Sequence, residues 1–191
     1  MRRLSGLLLS ILVTSTVQAQ KRPDVIRVCV ATLENSTPHV VNATWQRNQI
    51  VKTFERINKS KDVKNGKAAP IEAIPLELTE GPDPEVRDKD CQFVLYTNLT
   101  EVQRVGGPEI IPRPDAVEVG GSTDRRAYPA DDHSATVTYR VVRSGEIADW
   151  TSGLVSAHGP FREETLVLQL MDQVASRVAS ELRTRNPAAP Q

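Results

Sequence analysis

Apolar side chains recur along this chain with two different periods, and the switches between them outline a fold. Val25 to Leu33 is β-branched and nearly continuous in apolar character, as a buried strand requires. Glu34 to Pro38 is polar loop chemistry ending in a Thr-Pro pair suited to a helix start. Val41, Trp45, Ile50, Val51, Phe54 and Ile57 then fall on or near one stripe, which predicts a helix from about Val40 to Asn58. Ser60 to Pro70 is a charged loop with an Asn65-Gly66 turn. Ile71 to Leu78 alternates as a strand does, and Pro75, which has no N–H to donate, pushes it to a sheet edge. Gly81-Pro82-Asp83-Pro84 breaks the chain, Glu85 to Asp90 allows one helical turn, and a further strand runs from Cys91 to about Val102.

The second half repeats the two periods around a long interruption. Val105 to Ser134 holds four Gly and four Pro among many charges. It reads as a long loop, either a mobile insertion or a binding loop that orders on contact. Val137, Tyr139 and Val141 then alternate with Thr136, Thr138 and Arg140, Ser144-Gly145-Glu146 makes a turn, and Ile147 to Ala157 returns as the partner strand. From Phe161 to Arg183 the positions Val167, Leu170, Met171, Val174, Val178 and Leu182 mark an amphipathic helix. Asn186 to Gln191 is a frayed tail. The expected fold is α+β: a single mixed sheet of about five strands with two main helices packed on one face, spanning residues 20–185.

The first nineteen residues have a different purpose. Arg2 and Arg3 precede an apolar run from Leu4 to Val13, and Val17-Gln18-Ala19 supplies the small residues of a cleavage site. The run is short against the roughly 20 residues that span a bilayer, so residues 1–19 are expected to be a signal peptide cleaved after Ala19. No membrane span is expected in the mature chain, and the location is periplasmic or secreted. No cysteine follows the apolar run before Cys29, so no lipid anchor is expected at the cleavage point. Lys+Arg 24 against Asp+Glu 24 gives no basic excess, which argues against nucleic acid as a partner. An aromatic content of 4% is too low for a stacking platform.

Export changes the reading of the two cysteines. Cys29 lies inside one predicted strand and Cys91 opens another, and an oxidising compartment lets them form a disulfide. The alternative is two separate buried thiols behaving as small hydrophobes. Neither has a neighbouring His or a CxxC partner, so thiol catalysis and zinc lack support.

In element order, the chain resembles the periplasmic α+β domain of CsgG-like proteins, LpoB-type activators and the N-terminal domain of TolB. The resemblance is carried by a first strand like Val25–Leu33 followed by a long helix, a strand like Gln92–Leu99, a hairpin turning at Ser144-Gly145-Glu146, and a closing helix like Glu164–Leu182. It departs at Thr97-Asn98, where that family has Gly after the apolar run. The resemblance implies a binding or assembly module, not an enzyme.

Candidate chemistry is sparse. Ser152, Ser156 and His158 share strand parity, but Asp149 has the opposite parity, so a triad there lacks its acid. Asp131, Asp132 and His133 could supply metal ligands only if a loop folded around them; a solvated acidic loop is the simpler reading. There is no HExxH, EF-hand or P-loop signature. Glu163 and Glu164 read as first-turn acids favoured by the helix dipole. Sequons begin at Asn35, Asn42, Asn58 and Asn98 and are read as incidental.

No catalytic, cofactor or metal residue is therefore assigned. The expected function is an exported, non-enzymatic cell-envelope binding or assembly module. It would contact an envelope protein, or itself, through the sheet edge near Ile71–Leu78 or the 105–134 loop. The alternatives are a small secreted oligomerising domain and an exported hydrolase built on Asp131, Asp132 and His133.

Overall fold

The computed structural model describes residues 25–77, 84–105, 132–160 and 162–185. Residues 1–24, which contain the expected leader, and 186–191, the expected tail, lie outside them, as do 106–131 of the expected loop. The elements in chain order are β1 (Ile26–Val30), β2 (Glu34–Asn35), α1 (Ala43–Asn58), α2 (Lys61–Lys64), β3 (Ile71–Pro75), α3 (Pro84–Asp88), β4 (Phe93–Val105), β5 (Asp132–Arg143), β6 (Asp149–Gly159) and α4 (Glu163–Arg185). The sheet runs β3-β1-β4-β5-β6, and β2 adds a short pairing to β4. β1 is parallel to both its neighbours, while β4, β5 and β6 form an antiparallel meander. This is the mixed α+β sheet that the pattern predicts, with Pro75 on an edge strand.

Both long helices cover one face. Alternation along β5 buries Ala135, Val137, Tyr139 and Val141 beneath them. The stripe of α4 from Leu166 to Leu182 closes over those residues, and Ile50 and Phe54 of α1 complete the core. A fully buried Leu or Phe side chain contributes about 2 kcal/mol, so this layer dominates stability. The opposite face carries a smaller cluster of Cys29, Leu76, Val86, Cys91 and Val94 under α3. Cys29 and Cys91 are bridged there, with Cα atoms 5.7 Å apart.

Several boundaries differ from the sequence reading. Helix α1 begins at Ala43, not near Val40, because Asn35 folds residues 35–39 into a turn: its side chain accepts from the Thr37 N–H (3.0 Å) and donates to the His39 carbonyl. Asn42 then caps the helix by accepting from the Trp45 N–H (2.9 Å). That start rotates the buried face onto Gln46, Arg47 and Thr53, leaving Trp45 41% exposed. Glu34 and Asn35, expected in a loop, pair with Asn98 and Leu99. The expected 105–134 loop is also shorter, since Val105 and Asp132 to Ser134 extend the β4–β5 ladder.

Two bulges reset which side chains face the helices. One falls between Leu99 and Glu101 and returns Val102 to the core side. The other falls at Trp150, so that Val141 opposes Thr151 while Val142 opposes Asp149. Trp150 and Thr151 both turn toward the helices. Trp150 packs on Phe93 with ring centroids 5.1 Å apart, and Thr151 donates to Glu181 of α4.

Candidate functional site

The residues singled out for hydrolysis are on one face but not in one place. The bulge overturns the parity argument: Asp149 stands on the open face with Ser152, Ser156 and His158, where it pairs with Arg140 at 3.9 Å. Nine residue steps of extended strand still separate Asp149 from His158, on the order of 30 Å. Ser156 shares its hydroxyl with Thr136 at 3.1 Å.

Asp131 lies outside the described residues. Asp132 and His133 are successive positions of β5 and therefore point to opposite faces. The His133 imidazole is 3.8 Å from Glu163, whose other carboxylate oxygen meets His39 at 3.0 Å. This contact of the turn before α1 with β5 and the start of α4 has no sequence signal beyond the acidic first turn. Among the described residues no three side chains converge to hold a metal ion.

All four sequon asparagines have a local structural role. Asn35 makes the turn before α1, and Asn42 caps that helix. Asn98 accepts from Ser36 (3.0 Å), while Asn58 bonds to Ile71. Between α1 and α4, a shallow cleft of about 400 Å³ is lined by Ile57, Ser176, Ala179, Ser180, Arg183 and Thr184.

The two edges of the sheet are the most informative surfaces. An edge strand offers alternate N–H and C=O groups outward, a template for another strand unless something covers them. On β3 the outward residues are Ile71, Ala73 and Pro75, since Ile26 N–H bonds to Pro70 and Leu76 N–H to Val30 on the inner side. Asn58, the last residue of α1, covers Ile71 on both groups: its Oδ1 accepts from the Ile71 N–H (2.9 Å), and its Nδ2 donates to the Ile71 carbonyl (2.6 Å). Pro75 has no N–H, and its carbonyl accepts from Lys89 Nζ (2.9 Å). Only Ala73 is left. Beyond it, the Leu76 carbonyl accepts from Arg47 and Thr32. Over its described part, the edge expected to make contacts near Ile71–Leu78 is thus covered at Ile71 and Pro75 and open at Ala73; Leu78 itself lies outside the described residues.

β6 is different. Its inward residues pair with β5, leaving Ser152, Leu154, Ser156 and His158 outward. Two arginines of α4 reach over its first half. Arg185 donates to the Trp150 carbonyl (2.9 Å) while stacking on the indole, and Arg177 donates to the Leu154 carbonyl (3.1 Å). Among the described residues, nothing covers the main-chain groups of Ser156 and His158. Trp150 to Gly159 contains no Lys, Arg, Asp, Glu or Pro, the residues that usually protect an edge.

Comparison with known proteins gives a fold and no family. No family model matches the sequence, and no curated protein does. Among solved structures, the chain is similar to a PelC dodecamer from Paraburkholderia phytofirmans, with a TM-score of 0.50 and 14% identity over 92% of this chain and 95% of that one. A variant PelC dodecamer from the same organism gives a TM-score of 0.51 and 13% identity, over 81% of this chain and 88% of that one. A lipoprotein, GNA1162 from Neisseria meningitidis, aligns at a TM-score of 0.46 and 15% identity, over 81% and 99% respectively. The two PelC matches support the α+β architecture. The finer resemblance to CsgG-like, LpoB-type and TolB domains is not carried by them.

Proposed function

We propose that this chain is an exported, non-enzymatic assembly module of the cell envelope that works by associating with further copies of itself. The observation that supports this most is the alignment of nearly its whole length on the subunit of a dodecamer. The Cys29–Cys91 bridge fits the oxidising compartment that the leader implies. No helix of the described residues is long and apolar enough to cross a membrane, so attachment through such a helix is not part of the proposal. The side chains considered for catalysis are dispersed along β6 or engaged by neighbours, and no chemical step is assigned to them.

The test is native mass spectrometry of the chain beginning at Gln20, with its disulfide intact. A discrete assembly of several copies is expected, and a monomer at all accessible concentrations overturns the reading. Crosslinking in the native envelope then asks whether the assembly has a second component. Crosslinks only between copies support self-association, whereas a single-copy complex with another protein replaces it.

A further inference from the structure

We propose that the uncovered half of β6 pairs with β6 of a second copy of this chain, antiparallel about a twofold axis passing at Ala157. This rests on the self-association reading above and names one surface that it uses, a twofold contact that joins copies in pairs. A strand edge can add a strand only where both partners have free main-chain groups. β3 retains one free residue, Ala73, so head-to-tail pairing of β6 on β3 has almost no ladder to join. Two β6 edges do match.

One carbonyl selects the register. The Leu154 C=O already accepts from Arg177, so any register that sets Ser156 or His158 of the second copy against Leu154 must share that carbonyl with the guanidinium. A twofold axis at residue 155 or 156 does this. An axis at Ala157 does not: it sets Ser156 against His158 of the second copy and the reverse, for about four main-chain hydrogen bonds. The same register sets Leu154 against Pro160, whose nitrogen has no hydrogen to donate. The occupied carbonyl therefore meets the one residue that could not have used it.

The side chains agree with this register. Ala157 opposes itself and Val155 opposes Gly159 at the closely spaced positions, where Cα atoms approach to about 4.5 Å and small residues fit. On the other face a serine hydroxyl stands beside an imidazole, and no like charges oppose.

Ala157→Cys provides the test, because only a residue on the axis meets its own copy. In the oxidised chain from Gln20, it is expected to give a covalent dimer on non-reducing gels, whereas Ser156→Cys gives little. A matched pair of proline variants adds an independent readout. Ser156→Pro removes an outward N–H from β6 and is expected to weaken dimerisation by on the order of 10- to 100-fold. Ala73→Pro makes the same change on β3 and is expected to leave dimerisation unchanged. If the unmodified chain is an oligomer by mass, yet Ala157→Cys does not crosslink in the folded protein, β6 pairing is overturned while self-association stands. If the unmodified chain is a monomer throughout, both fall.

Discussion

The two edges of this sheet begin from the same problem and reach opposite solutions. β3 is short, ends in proline, and has its outward groups answered by Asn58 and Lys89, which come from the ends of two other elements. β6 is eleven residues long, and its covers among the described residues are two arginines of one helix, both directed at its first half. Proximity to helices does not distinguish the edges, since α1 packs on β3 and α4 on β6. What distinguishes them is whether a side chain of the right length ends beside each outward group. An asparagine carries a carbonyl and an amide at the spacing of a neighbouring strand, so it can answer both main-chain groups of one residue. An arginine donates only, so it answers carbonyls and leaves N–H groups bare.

This contrast can be broken from the closed side. The largest effect is expected from Cys29→Ser with Cys91→Ser. The loop that the bridge closes has a sequence separation of 62, and removing the bond is expected to cost about 4 kcal/mol in the loop-entropy estimate. Cys91 follows Lys89 by two residues, so loss of the bridge also loosens the cap on Pro75. A urea midpoint lowered to match, with faster amide exchange at Ala73 and Leu76, is the expected result. Asn58→Ala is more selective. It strips both bonds from Ile71 at an expected cost of about 2 kcal/mol, and it leaves two consecutive outward residues of β3 open. Light scattering should then show association through a second edge, which Asn58→Asp, keeping only the acceptor, should reduce.

From the open side, Gly153→Ala tests whether β6 is held rigidly enough to serve as a template. A Cβ at Gly153 would sit 2.6–2.8 Å from the buried Tyr139 ring on the facing strand, so a loss of about 1–3 kcal/mol in thermal or urea unfolding is expected. The tie between the two halves is Asp172 of α4, which accepts from Thr53, Gln49 and Arg56 of α1. Burial works to raise its pKa, but those three donors outweigh it and hold the carboxyl below the ordinary value. A depressed folded pKa means that the contribution is present above the unfolded value, near 4, and is lost as pH falls through the folded one. Acid titration should therefore show a loss of stability below about pH 4 that Asp172→Asn removes. The smallest effect is expected from Arg177→Ala. It should change stability by less than about 0.5 kcal/mol while freeing the Leu154 carbonyl, which admits the alternative registers and so weakens the preference for crosslinking at Ala157→Cys.

How much of this was open to sequence reasoning depends on the range of the interaction. The hairpin faces, the stripe of α4 and the edge position of β3 follow from periods of 2 and 3.6 and from one proline. The start of α1 is not legible, because Thr37-Pro38 resembles a helix start while the turn made by Asn35 and the cap made by Asn42 compete with it locally. The face of Asp149 is not legible either, because parity counting assumes an unbroken ladder and a bulge inserts one residue without any mark in composition.

The sequence alone determined the main strands and the two long helices, their order, and the apolar faces of β5 and α4 that must meet, because these depend on residues a few positions apart. Only the tertiary structure decided which edge is mostly covered and which is left open among the described residues. That outcome depends on Asn58 reaching Ile71, Lys89 reaching Pro75 and Arg177 reaching Leu154. Each contact pairs a side chain with a main-chain group 13 to 23 residues away. Neither partner carries a mark of the other, because any backbone carbonyl accepts a hydrogen bond equally well; packing alone selects which one the donor reaches.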